Sequence, residues 1–302
     1  MCIECGCGRP GPTQIDGKDA DSMTSPLVDG GQAHGHGHKH HPHDHGHGHS
    51  HSHSHGHGHH HHDHDHDHHH DHGHEHGEGH RVVQVHQAIL EGNDRQAERN
   101  RGYFRALDIL ALNLVSSPGS GKTELVRRTI ERLSGQLRVG VVVGDVATDN
   151  DARRLRAAGA PVVQITTGTL CHLDAGMVAR AVGQLDLKAL DVLVLENVGN
   201  LVCPAAFDLG EDLRVALLSV TEGEDKPLKY PPLFHSAGAV VVTKMDLAGA
   251  VEFDRETALE NVRRASPGAE VFELSSKTGE GLDRWCEFLR SAVAERRQGA
   301  ER

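Results

Sequence analysis

The chain has 302 residues, with 31 Lys and Arg against 43 Asp and Glu, a formal net charge of −12, 29 histidines and six cysteines. This acidity offers no basic stripe for nucleic acid, and no apolar run approaches the ~18 residues of a membrane span. The opening MCIECGCGRP lacks a basic segment followed by an apolar one, so it does not read as a signal peptide. A cytoplasmic chain is expected, and in that reducing compartment its cysteines point to metal or catalysis rather than disulfides.

In chain order, residues 1–10 come first and carry Cys2, Cys5 and Cys7. C-x-x-C spacing lets two thiolates reach one ion, and Gly6 lets the backbone turn for a third. Thiolates suit Ni²⁺ and Zn²⁺, with the α-amine or a backbone nitrogen as a fourth ligand. Residues 11–80 follow as a linker and a His-rich region, in which 26 of the 29 histidines lie between His34 and His80. Gly, His, Asp and Ser dominate there, so too little apolar surface exists to offset the entropy of ordering it. Residues 1–80 are therefore expected to be disordered without metal. The remaining residues 81–302, about 220 of them, suffice for one domain with a sizeable core.

Within that domain, residues 82–111 have the three-to-four spacing of a helix. Apolar, β-branched runs follow at 111–117, 138–145, 161–166, 191–199, 213–220, 238–244 and 270–275. Helices are expected at 121–134, 151–158, 172–184, 251–265 and 281–297. The runs are continuously apolar rather than alternating, which suits strands covered on both faces. The expected fold is α/β: a doubly wound, mostly parallel sheet of about seven strands with helices on both faces. In such a sheet, ligands sit at the carboxyl ends of the strands.

The motifs fall there. NLVSSPGSGKTEL follows the first run and opens a helix, so Gly119, Ser120, Gly121, Lys122, Thr123 and Glu124 form the expected phosphate-binding turn. Backbone N–H groups would wrap the phosphates, Lys122 would reach the β/γ oxygens and Thr123 would hold Mg²⁺. Ser116 stands where the first glycine of the motif usually is. VVVTKMDL matches the guanine-reading N/T-K-x-D pattern, with Thr243 in place of Asn. Asp246 would accept from guanine N1 and N2, a pair that adenine does not present, and Lys244 would lie over the base. ELSSKTGEGL would back the base through Ser276 and Lys277. The nucleotide is therefore expected to be GTP. Asp145 and Glu196, each at a strand end, are acids placed for Mg²⁺ or for water positioning, and Gly199 is placed to sense the γ-phosphate. Asp149 and Asp151 read equally well as a solvated turn or cap. Cys171, His172 and Cys203 each pass separately for a buried thiol or core histidine, but the sheet brings them to one edge, where they could bind Zn²⁺ or Ni²⁺. Cys286 reads as a core thiol.

Together SSPGSGKT, GDVATDND, CHLDA, ENVGNLVCPA and VVTKMDL resemble the HypB family, GTPases of nickel incorporation in [NiFe]-hydrogenase maturation. The resemblance spans residues 81–302, the terminal C-x-x-C-G-C and the His-rich insert. It implies the SIMIBI class of dimerising P-loop NTPases and explains Ser116 as a habit of the family. It assigns Cys2, Cys5 and Cys7 to a high-affinity nickel site. Cys171, His172 and Cys203 fall to a nickel/zinc site at a nucleotide-dependent homodimer interface. It implies a HypA-type metallochaperone as partner and the hydrogenase large-subunit precursor as recipient. The urease accessory GTPases UreG are close to it, but they typically carry Cys-Pro-His, which is not the pattern here. On this reading the His-rich region stores metal, hydrolysis is slow, and the alternative to a GTP-gated chaperone is a nickel/zinc store whose G domain regulates assembly.

Overall fold

The computed structural model describes residues 13–23, 27 and 77–300. Cys2, Cys5, Cys7 and the histidines from His34 to His76 lie outside them, and so does most of the tail expected to be disordered. The chain divides into two units, residues 30–84 and the remainder. Of the first, only the backbone of 77–84 is described, and it is helical.

The second unit is built on one nine-stranded sheet. Its strands are β1 (Gln14–Ile15), β2 (Lys18–Asp19), β3 (Leu110–Val115), β4 (Val139–Asp145), β5 (Val162–Thr166), β6 (Val192–Glu196), β7 (Leu213–Ser219), β8 (Ala239–Thr243) and β9 (Glu270–Glu273). The spatial order is β2-β1-β5-β4-β6-β3-β7-β8-β9. The seven strands from β3 to β9 are parallel and match the seven apolar runs. The helices are α1 (Gly77–Ala106), α2 (Lys122–Leu133), α3 (Asn150–Ala157), α4 (Ala175–Val182), α5 (Lys226–Lys229), α6 (Pro231–His235), α7 (Arg255–Ala265) and α8 (Leu282–Ala300). No helix among the described residues is long and apolar enough to cross a membrane.

Both sheet faces are dry, which is why the runs are continuous. Leu110, Leu112 and Leu114 pack with α2, α3 and α8 in one core, while Ile109 and Ala111 pack with Phe104 of α1 and with α4 in another. The period-2 alternation thus divides apolar residues between two buried faces instead of core and solvent. α1 docks through buried amides: Asn100 Nδ2 donates to the Ala175 and Leu209 carbonyls, both at 2.9 Å. Gly210 passes so close that a Cβ would stand 2.5 Å from the Ala97 carbonyl oxygen.

Three helices begin or end three or more residues inside their expected limits, each for a local reason. Asp108, at φ 56, turns the chain out of α1 before β3. Asp174 accepts from Met177 N at 2.7 Å and caps α4, leaving Cys171 and His172 in the loop. Asp254 accepts from Thr257 N at 3.0 Å and caps α7.

One expectation is corrected. Residues 14–19 are not disordered: they form a hairpin whose β1 pairs antiparallel with β5, Gln14 opposite Thr166 and Ile15 opposite Ile165. Asp16 and Gly17 both have positive φ, 45° and 77°, the signature of a two-residue Asp-Gly hairpin turn. Ile15 is fully buried and Ala20 nearly so. A polar composition averaged over eighty residues conceals this short amphipathic stretch. The helical backbone of 77–80 departs from the same expectation.

Candidate nucleotide and metal site

The phosphate-binding turn joins β3 to α2, at the centre of the sheet. Gly119 and Gly121 sit at φ 74° and 100°, which a side chain would oppose. Ser116 is fully buried; its hydroxyl donates to the Ser117 carbonyl and accepts from Lys122 Nζ, both at 2.8 Å. The residue that departs from the motif thus steadies the lysine. Burial pulls the Lys122 ammonium below its ordinary pKa, against the attraction of Glu196. Glu124 turns away from the turn: its carboxylate pairs with Arg127 at 2.5 Å and with Arg154 of α3 at 2.7 Å.

β6 lies beside β3 and delivers Glu196 to the turn. Thr123 Oγ1 donates to Glu196 Oε1 at 2.6 Å. Glu196 Oε2 is buried and has no partner among the described residues. Burial pushes the Glu196 carboxyl up to about 7, although Lys122 and Thr123 pull it down. An orphaned buried oxygen beside a hydroxyl is a donor set of the hard-oxygen kind that Mg²⁺ prefers. Asp145, at the end of β4, holds its own loop, accepting from Val146 N and Thr148 Oγ1, each at 2.5 Å. Gly199 lies against the turn, where a Cβ would stand 2.9 Å from Pro118 Cα.

The segments expected to read the base reach the same edge from β8 and β9. Thr243 Oγ1 donates to the Ser120 carbonyl at 2.7 Å and Lys244 Nζ to the Gly119 carbonyl at 2.8 Å. Threonine thereby performs at this position the bridging to the phosphate turn that its hydroxyl allows. The partner of Asp246 is Ser275, whose hydroxyl donates to Oδ1 at 2.6 Å. Sequence reasoning named the next two residues, Ser276 and Lys277, which are half-buried and exposed. Ser275 is fully buried at the end of β9, and that inward position was the signal available for it. Glu222, after β7, was also missed. Burial raises its carboxyl pKa although Ser117 and three lysines, Lys226, Lys244 and Lys122, counteract it.

The structure brings Cys171, His172 and Cys203 together, with one ligand atom of each within 4.8 Å of the others. The two sulfurs are 2.8 Å apart, and the His172 ring stacks on Phe207 with centroids 3.9 Å apart. Desolvation lowers the imidazole pKa, against Asp174, which favours the neutral form that a metal needs. The segment after β6 positions both halves of the cluster. Asn197 Oδ1 accepts from Leu173 N at 3.1 Å, next to His172. Asn200 Oδ1 accepts from Val202 N at 2.7 Å and from Cys203 N at 3.3 Å. Neither asparagine nor Phe207 was picked out from sequence, because each works through a contact that spacing does not reveal. Cys286 is buried on α8.

Known proteins resemble this arrangement. The family model described as CobW/HypB/UreG, nucleotide-binding domain, matches residues 110–273. The hydrogenase maturation factor HypB of Azotobacter vinelandii is 53% identical over 209 residues, 69% of each chain. That of Escherichia coli K12 is 50% identical over 209 residues, 69% of this chain and 72% of its own. Among solved structures, HypB from Archaeoglobus fulgidus is 41% identical with a TM-score of 0.64, covering 67% of this chain and 99% of its own. HypB from Helicobacter pylori, in complex with nickel, is 38% identical with a TM-score of 0.65, covering 68% and 96%.

Proposed function

The chain belongs to the CobW/HypB/UreG family and within it to the hydrogenase maturation factors HypB, and on that footing we propose that it is a GTP-hydrolysing nickel chaperone that stores nickel and delivers it to the hydrogenase large subunit. Lys122 binds the β/γ-phosphate oxygens, and Thr123 with Glu196 holds the magnesium. Asp246, steadied by Ser275, reads guanine, with Lys244 over the base and Ser276 and Lys277 behind it. Magnesium, when bound, neutralises charge developing on the phosphates. The residues named here position phosphate and cation, not the attacking water, which accords with slow turnover.

Nickel is the cargo. Cys171, His172 and Cys203 take Ni²⁺ or Zn²⁺ through two thiolates and one neutral imidazole. The complex of the Helicobacter pylori relative with nickel supports the first ion. Cys2, Cys5 and Cys7 form a second thiolate site. A homodimer would complete the coordination, a HypA-type metallochaperone and the large-subunit precursor would exchange the ion, and thiolate chemistry of this kind belongs in the cytoplasm.

One observation carries the coupling of nucleotide to metal. Glu196 serves the cation, while Asn197 holds the Cys171–His172 loop and Asn200 holds Cys203. Any shift of residues 196–200 on loss of the γ-phosphate therefore moves both halves of the metal site. Calorimetric nickel titration of the chain with GDP, then with a non-hydrolysable GTP analogue, tests this. A change in affinity or stoichiometry that disappears in Cys203→Ala is expected. Identical titrations in both states would leave a store whose G domain does not switch it.

A further inference from the structure

The edge strand β5 carries a second piece of this chain, residues 13–23, and the way it is held reaches back to the phosphate site. Asp16 is the junction. Its amide donates to the Gln164 carbonyl at 2.8 Å, and its Oδ1 accepts from Gln164 N and from Arg156 Nη2, both at 2.9 Å. Arg156 lies in the last turn of α3, whose guanidinium also donates to the Val162 carbonyl at 3.1 Å. The first turn of α3 carries Asp151, close enough to Lys122 and Glu196 for its charge to act on both. Arg154, between them, joins Glu124 of α2 at 2.7 Å and Asp151 at 3.5 Å. At 1.5 Å per residue, Asp151 and Arg156 are about 7.5 Å apart along the axis. One short helix therefore has one end in the field of the phosphate site and the other on the hairpin.

A cleft of about 650 Å³, open to solvent, lies between the hairpin turn at Asp16 and Gly17 and the loop at Thr148 and Asp149 that feeds α3. Gln164 lines it, 4% exposed, with Oε1 unpartnered among the described residues.

We propose that residues 13–23 are a strap whose docking on β5 and α3 follows the nucleotide state, with α3 as the lever between Asp151 and Asp16. This rests on the reading that the site binds GTP. A γ-phosphate adds negative charge near Asp151, so α3 has a different preferred position with and without it. The Arg156–Asp16 contact tightens in one state and loosens in the other. Undocking β1 uncovers the hydrogen-bonding edge of β5 to a partner strand.

Amide hydrogen exchange on the full chain tests the lever, with GDP and with a non-hydrolysable GTP analogue. Saturation is established separately with a fluorescent guanine nucleotide. Exchange across 13–23 is expected to differ between the two states by several-fold. Arg156→Ala should speed exchange there in both states and erase the difference, while guanine nucleotide still binds and its affinity ratio between the two states shifts by no more than the lost exchange difference. Asp16→Asn, which keeps a residue tolerant of positive φ, should do the same without touching α3. Equal exchange in both saturated states, or a difference that survives both substitutions, overturns the lever. Failure of the fluorescent nucleotide to bind is a separate result and overturns the GTP reading beneath it.

Discussion

A carboxylate that is 3% exposed and has one oxygen unpartnered among the described residues is costly to keep charged, and Glu196 meets that cost by taking up a proton near pH 7. Its folded pKa lies above the ordinary glutamate value of about 4.3. Between those two values the folded chain binds a proton that the unfolded chain does not, so this group's contribution to stability falls as pH rises across the window. The span corresponds to about 4 kcal/mol at most. A divalent cation beside Thr123 reverses the balance, because it stabilises the charged form. Without magnesium or nucleotide, chemical denaturation should show stability declining between about pH 4.3 and pH 7. Magnesium with GDP should flatten that decline. Glu196→Gln should be flat without magnesium, more stable than the parent at pH 8, and at least tenfold weaker for magnesium-dependent nucleotide binding. Parallel pH profiles for parent and variant would remove Glu196 from this role.

The elements differ in how far they can be read from sequence. The seven parallel strands could be placed because both faces are buried, so Val and Leu run without interruption. The phosphate turn could be placed because its glycines at positive φ and its lysine are local needs. Contacts across the fold could not be read this way. Ser275 reaches Asp246 over 29 positions and Asn197 reaches Leu173 over 24, and neither leaves a period or a spacing. The hairpin at 14–19 was lost for another reason: two apolar anchors, Ile15 and Ala20, are too few to alter the composition around them. Gly199 belongs with the legible group by identity, yet the reason for it appears only in the fold. With a Cβ it would meet Pro118 Cα at 2.9 Å and Pro118 N at 3.0 Å, both backbone atoms, so the segment after β6 or the phosphate turn must shift. Gly199→Ala should therefore keep GDP affinity within a few-fold and reduce GTP hydrolysis at least tenfold. It should also alter nickel titration through Asn200 and Cys203. An enzyme that hydrolyses GTP at the parent rate would show that the close approach has no part in the reaction.

At the scale of the whole molecule, the charge distribution separates two kinds of metal binding. Among the described residues the folded unit offers one compact set of three ligands, Cys171, His172 and Cys203, positioned by hydrogen bonds to Asn197 and Asn200. The 26 histidines from His34 to His80 are interleaved with Gly, Ser and Asp, a composition that provides many overlapping imidazole sites rather than one fixed geometry. Imidazoles near an ordinary pKa of ~6.5 compete with protons for the ion. The thiolate set, with an imidazole whose pKa burial lowers, holds its ion to lower pH through that imidazole, although its thiols must still lose their protons. Total nickel bound by the full chain should therefore fall steeply as pH drops from 7.5 to 5.5, with most of the loss coming from the His-rich region. Deleting residues 34–80 should remove that steep component and reduce nickel stoichiometry severalfold at pH 7.5. GTP hydrolysis should be unchanged, since the phosphate, base and three-ligand sites described above are built from residues between Ser116 and Lys277. Equilibrium dialysis with nickel across this pH range, paired with phosphate release from the same preparations, measures both. If hydrolysis fell along with stoichiometry, the imidazoles would be acting on the nucleotide cycle, and storage and switching would have to be treated as a single linked equilibrium.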